Sequence, residues 1–100
     1  MKLIRNKRVA VVARLRPGSR DDAAEILAEG PPFAIGASGL RRHSVFLGER
    51  EVVFMFEGPG VEQLVRLLVN DRAASSAFSR WGPFLEGTPS LCREEFYWER

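Results

Sequence analysis

The chain has 100 residues, 45% hydrophobic and 28% charged, and its 15 Lys and Arg against 13 Asp and Glu leave a formal net charge of +2. That length and apolar share suit a single domain with its own core, and they exclude a fibrous repeat, a disordered tail and a two-domain chain. The single cysteine, Cys92, has no partner for an internal disulfide, which points to a reducing, cytoplasmic setting, and no apolar run approaches the ~20 residues that cross a bilayer.

Charge is spread unevenly. Residues 1–20 hold seven basic groups and no acid, so the remainder carries 8 basic against 13 acidic groups, a net −5. A single-stranded nucleic-acid interface would interleave aromatic residues with the basic ones for base stacking, and this stretch has none, so nucleic acid is not an expected partner. Residues 1–8 read as a basic leader and residues 9–100 as the folded domain.

Val9 to Arg16, VAVVARLR, is β-branched and stopped by Pro17-Gly18, which predicts a strand. Ser19 stands where a helix N-cap would, with Asp22 placed to reach back to it and Asp21 and Asp22 favoured by the helix dipole. A helix should then run to about Glu29, ended by Gly30 and Pro31-Pro32. Phe33 to Gly39 reads as a loop. The apolar runs His43–Leu47 and Arg50–Phe56 flank Gly48-Glu49, predicting a hairpin with a type II′ turn that pairs Leu47 with Arg50, Val45 with Val52 and His43 with Phe54. Beyond Gly58-Pro59-Gly60, Val61, Leu64, Val65 and Leu68 repeat at three and four for a second helix to about Val69. Ala74, Phe78, Trp81 and Leu85 share helical spacing and suggest a short helix or turn before Gly82-Pro83. Gly87 to Pro89 reads as a loop, and alternation from Leu91 to Trp98 predicts the last strand.

The order β-α-β-β-α-β is the ferredoxin-like α+β arrangement, a four-stranded antiparallel sheet with two helices on one face. The first strand offers Val9, Val11, Ala13 and Leu15 on one side and Ala10 and Val12 on the other, and the hairpin is likewise two-sided. Apolar residues on the face that helices do not cover imply a second copy of the chain packed sheet to sheet, so a homodimer is expected.

Leu15-Arg16-Pro17-Gly18-Ser19 after the first strand, Ser44-Val45-Phe46-Leu47-Gly48 with Val52-Val53 in the hairpin, Glu57-Gly58, and Pro83-Phe84-Leu85-Glu86 together resemble the dimeric α/β-barrel superfamily, and within it the SchA/CurD-like domains of polyketide biosynthesis clusters. The resemblance spans most of the chain and implies a small dimeric protein of secondary metabolism. The hairpin and the Phe84–Trp98 tail also look like L-rhamnose mutarotases, whose first helix holds a catalytic histidine; Asp21 to Glu29 contains none. Antibiotic-biosynthesis monooxygenases and polyketide cyclases are similar in fold, and that likeness implies burial of an aromatic substrate beside a few polar residues without a cofactor.

His43, the only histidine, is either a general base or an edge histidine packed against Phe54 with a backbone hydrogen bond. Tyr97 either donates a proton to a substrate carbonyl or anchors the last strand. Arg14, Glu95 and Arg93 either orient a ligand in a sheet-face cavity between two chains or form a structural ion-pair network. Phe54 and Trp81, with Phe78 and Phe84, either wall a flat ligand or fill the core. Cys92 reads as a packed thiol. No phosphate-binding loop, metal-ligand spacing or Ser-His-acid set is present, so neither a cofactor nor a metal is expected. The leading expectation is a homodimer that binds a small aromatic or polyketide-like molecule, as a cofactor-independent cyclase or monooxygenase. Its alternative is a non-catalytic dimerisation or interaction domain, and a sugar mutarotase is a lesser one. The residues leave open whether the chain is an enzyme.

Overall fold

Strand β1 (Arg8–Leu15) alternates between two surroundings, with Val9, Val11, Ala13 and Leu15 buried and Arg8, Ala10, Val12 and Arg14 on the opposite side. The computed structural model describes residues 7–30, 39–70 and 79–100. After β1 come α1 (Arg20–Ala28), β2 (Arg42–Leu47), β3 (Glu51–Glu57), α2 (Val61–Asn70), a single 3-10 turn (Gly82–Phe84) and β4 (Leu85–Arg93). The strands form one four-stranded antiparallel sheet in the order β2-β3-β1-β4, an α+β fold compatible with the ferredoxin-like arrangement. The buried side of β1 joins Val52, Phe54 and Phe56 of β3, Val61 and Val65 of α2, Ala23 of α1 and Trp81 in one core. Phe54 and Trp81 meet edge to face with ring centroids 5.0 Å apart.

The turn from β1 into α1 follows from its residues. Pro17 and Gly18, with Gly18 at φ 79°, make a type II turn closed by the Ser19 N–H donating to the Arg16 carbonyl at 3.1 Å. Ser19 is the N-cap, but its side chain makes no capping hydrogen bond, so the expected reciprocal cap with Asp22 is not formed. Ser19 acts instead through its carbonyl, which accepts from the Ala23 N–H at 3.0 Å.

The hairpin register differs from expectation by two residues: Leu47 pairs with Val52, Val45 with Phe54 and His43 with Phe56. The turn is centred on Glu49-Arg50, with the Gly48 N–H donating to the Glu51 carbonyl at 2.8 Å, and Gly48 does not take the positive φ of a type II′ turn. Arg50 holds the turn against the end of β1: its carbonyl accepts from the Leu15 N–H at 2.8 Å and its Nε donates to the Leu15 carbonyl at 3.1 Å. A slip of two leaves every side chain on its expected face, because the strand period is two.

The last strand also differs. β4 begins at Leu85 and ends at Arg93, so the expected strand from Leu91 to Trp98 is displaced towards the N-terminus. Its pairing with β1 ends at Val9–Arg93, and residues 94–100 are not part of a strand. The Gly87–Pro89 loop signal is absorbed as a bulge: pairing jumps from Val12–Ser90 to Arg14–Glu86, with Gly87 at φ 78°. The residues 31–38, most of the expected Phe33–Gly39 loop, and Ala74 and Phe78 of the expected short helix lie outside the described residues.

Phe54→Ala should lower the unfolding free energy by about 3–5 kcal/mol in urea titration. Gly87→Ala should cost about 1 kcal/mol, since an alanine there must adopt the left-handed region.

Candidate functional site: the open sheet face

The side of the sheet away from the buried core presents its side chains in four rows running from β2 across β3 and β1 to β4. The first row is ionic. Arg42 Nε lies 3.6 Å from Glu57 Oε2, Arg8 Nε lies 3.7 Å from Glu57 Oε1, and Arg8 Nη2 pairs with Glu94 Oε2. The second row is Ser44, Met55, Ala10 and Cys92, and the third is Phe46, Val53, Val12 and Ser90. The fourth is ionic again, Glu51, Arg14 and Glu86 on adjacent strands, with Arg50 Nη2 donating to Glu86 Oε2 at 3.1 Å. An apolar band therefore crosses the sheet between two charged margins, and Phe46 within it is 61% exposed.

The residues singled out from the sequence are distributed over this scaffold rather than gathered. Arg14 lies on the open face, in a depression of about 310 Å³ shared with Val12, Glu51, Glu86, Thr88 and Ser90. His43 lies on the other face: its ring stacks on Phe56 at 4.6 Å and 24°, and its Nδ1 is 2.8 Å from the Met55 carbonyl oxygen. A carbonyl only accepts, so Nδ1 carries the hydrogen of that bond. Phe54 and Trp81 are buried against each other in the core. Glu95, past the end of β4, borders a charged groove of about 510 Å³ together with Lys7, Glu62, Arg93 and Glu94. Tyr97 receives the Arg8 guanidinium over its ring at 4.6 Å and donates its hydroxyl to Glu99. Arg14, His43, Glu95 and Tyr97 thus do not converge within one chain. Strand parity separates Arg14 from His43, and Glu95 and Tyr97 fall beyond the last strand. Cys92 is exposed on the open face rather than packed in a core; it borders a small depression of about 160 Å³ with Ala10 and Met55.

Sequence reasoning did not select Glu62, Glu51 or Glu86. The Glu62 link to Arg66, four residues on, is legible as helix spacing, but its stronger partner is Arg93, 31 residues away, whose Nε and Nη2 donate to Oε1 and Oε2 at 3.0 and 3.2 Å. The hydrogen bond from Arg93 holds the Glu62 carboxyl below the usual glutamate range against the opposing effect of desolvation, with further help from the charges of Arg93, Lys7 and Arg66. Glu51 and Glu86 acquire meaning only once the register sets them on either side of Arg14.

No protein-family model matches the chain, and a search of curated proteins returns no match. Among the described residues, no helix is long and apolar enough to cross a membrane, and no group of three or more His, Cys, Asp and Glu is placed to hold a metal ion.

Because the folded state depresses the Glu62 pKa, its pairing with Arg93 adds stability above the unfolded-state pKa and loses it as pH falls through the folded value. Glu62→Gln should therefore be less stable than the wild type at pH 7 in urea titration, and the difference should shrink as pH falls through the depressed titration range of the folded Glu62 carboxyl.

Proposed function

We propose that this chain is a homodimerisation domain that works as one half of a face-to-face pair of sheets, in the manner of the dimeric α/β-barrel superfamily that its sequence resembles. The observation that carries this reading is the open face. Helices cover one side of the sheet, and the other retains Phe46, Val53, Met55, Val12 and Ala10 between ionic margins. An apolar core with a charged rim is the anatomy of a protein interface. With strands ~4.8 Å apart and side chains on one face ~6.6 Å apart, the four rows cover roughly 500 Å² per chain in plane, so a pair reaches the ~1,000 Å² at which specific interfaces begin. His43 supports the same reading, for it is engaged by Phe56 and the Met55 carbonyl rather than presented to a cavity.

In sedimentation at micromolar concentration the chain should run at twice 11.2 kDa. Phe46→Glu and Val53→Glu should each shift it to the single-chain mass while leaving the circular dichroism of the fold unchanged. A wild-type protein that stays at the single-chain mass refutes the reading.

A second reading, binding of a small aromatic or polyketide-like molecule, is favoured by the Arg14 depression, whose lining sets Val12 beside the polar groups of Arg14, Glu51, Glu86, Thr88 and Ser90. A flavonoid or anthraquinone panel tests it. A ligand bound only by the native state at ~100 times its Kd should add about 2.7 kcal/mol of stability. Arg14→Ala should abolish such a shift, whereas His43→Ala should keep it and cost only about 1–2 kcal/mol of stability from the lost hydrogen bond and ring contact. No shift with any compound leaves the dimerisation domain as the sole reading.

A further inference from the structure

Residues 94–100, past the end of β4, lie in no strand or helix, and they hold Tyr97, the only tyrosine of the chain. On this segment Phe96 and Trp98 are well exposed and Tyr97 is 36% exposed. Carboxylates flank the tyrosine along the chain. Glu94 and Glu95 stand three and two residues before it, and Glu99 stands two residues after it. An accessible hydroxyl on a segment outside the regular elements, set among acids, is the form in which a kinase that selects by charge pattern takes its acceptor.

The fold also holds a receiver for the modified side chain. Arg8 opens β1, and its guanidinium carbon stands 4.6 Å from the centre of the Tyr97 ring. That guanidinium is incompletely used. Its Nη2 pairs with Glu94, whereas Nε is buried, lies 3.7 Å from Glu57 Oε1 and makes no hydrogen bond. A buried donor without an acceptor carries a cost that an anion placed beside it removes. The Tyr97 hydroxyl now donates to Glu99. A phosphoryl group on that oxygen removes the donated hydrogen and adds ~2 negative charges at pH 7, so the tie to Glu99 becomes a repulsion while the attraction to Arg8 grows.

We propose that Tyr97 is a phosphorylation site, modified by a protein tyrosine kinase, and that Arg8 receives its phosphate. In the transfer the Tyr97 oxygen attacks the γ-phosphorus of a nucleoside triphosphate and the bond from that phosphorus to the β,γ-bridging oxygen breaks. The nucleoside diphosphate leaves with the electron pair, and the hydroxyl proton passes to the catalytic aspartate of the kinase. The phosphotyrosine then turns from Glu99 to Arg8, the residue that links Glu57 on β3 to Glu94 past the end of β4. Neither step requires a second copy of the chain.

The test uses the intact chain with the catalytic domain of a purified tyrosine kinase that prefers acidic substrates, ATP and magnesium. Mass spectrometry should show a single added phosphate, which Tyr97→Phe abolishes and Glu95→Gln slows several-fold. A chain left unmodified while a peptide of residues 90–100 is modified would overturn the site, because the fold then hides the hydroxyl. Failure of both would overturn it as well, since the flanking acids then recruit no kinase of the expected preference. Phosphorus NMR of the phosphorylated chain reads the role of Arg8 separately. The second pKa of the phosphate, about 6 without a partner, should be at least about half a unit higher in Arg8→Gln than in the wild type, because the guanidinium favours the dianion. Equal values would overturn the contact. Should Arg8→Gln fail to fold, the phosphorylated 90–100 peptide, which lacks Arg8, is the reference and should show the same difference.

Discussion

The whole arrangement depends on β1 having a strand on each side and helices on one face only. Paired with β3 along one edge and β4 along the other, β1 carries both halves of the fold. Val9, Val11, Ala13 and Leu15 place its burial entirely on the helix side, and the period of two then forces Arg8, Ala10, Val12 and Arg14 onto the uncovered side. Among the described residues, the two helices extend over one face of the sheet only.

The uncovered side is organised by register as much as by composition. Pairing places Glu57 between Arg42 and Arg8, and Arg14 between Glu51 and Glu86, so charges of both signs fall into rows perpendicular to the strands. Ladders of this kind are weak sources of stability when exposed to water. The same margins also keep the apolar band from being a featureless adhesive patch.

The elements themselves were largely legible. VAVVARLR, the Pro17-Gly18 turn, the two helices and the hairpin all stand close to where residue periodicity puts them. The differences share a cause, which is that pairing partners are distant in sequence. The hairpin turn is drawn to Glu49-Arg50 because Arg50 bonds the end of β1 through both backbone and side chain, a contact spanning 35 residues. β4 starts at Leu85 and its pairing with β1 ends at Val9–Arg93, although the alternation of Phe96 and Trp98 continues past that point. His43 was set against Phe54 when its ring rests on Phe56, the consequence of the same slip of two.

By itself the sequence determined the class of fold and the two-sidedness of the sheet, because both follow from local periods: 3.6 in the helices, two in the strands, with Gly and Pro between them. It also determined which residues share a face, since a register slip of two preserves parity. Only the tertiary structure decided which of those residues meet. Arg14 could be grouped with His43, Glu95 and Tyr97 on paper, but the sheet sets Arg14 and His43 on opposite faces and leaves Glu95 and Tyr97 beyond its edge. Glu62 finds Arg93, and Arg14 finds Glu51 and Glu86, through contacts that no local period encodes. Proximity across strands depends on register, and register is settled by the turn, the bulge and the length of the neighbouring strand acting together.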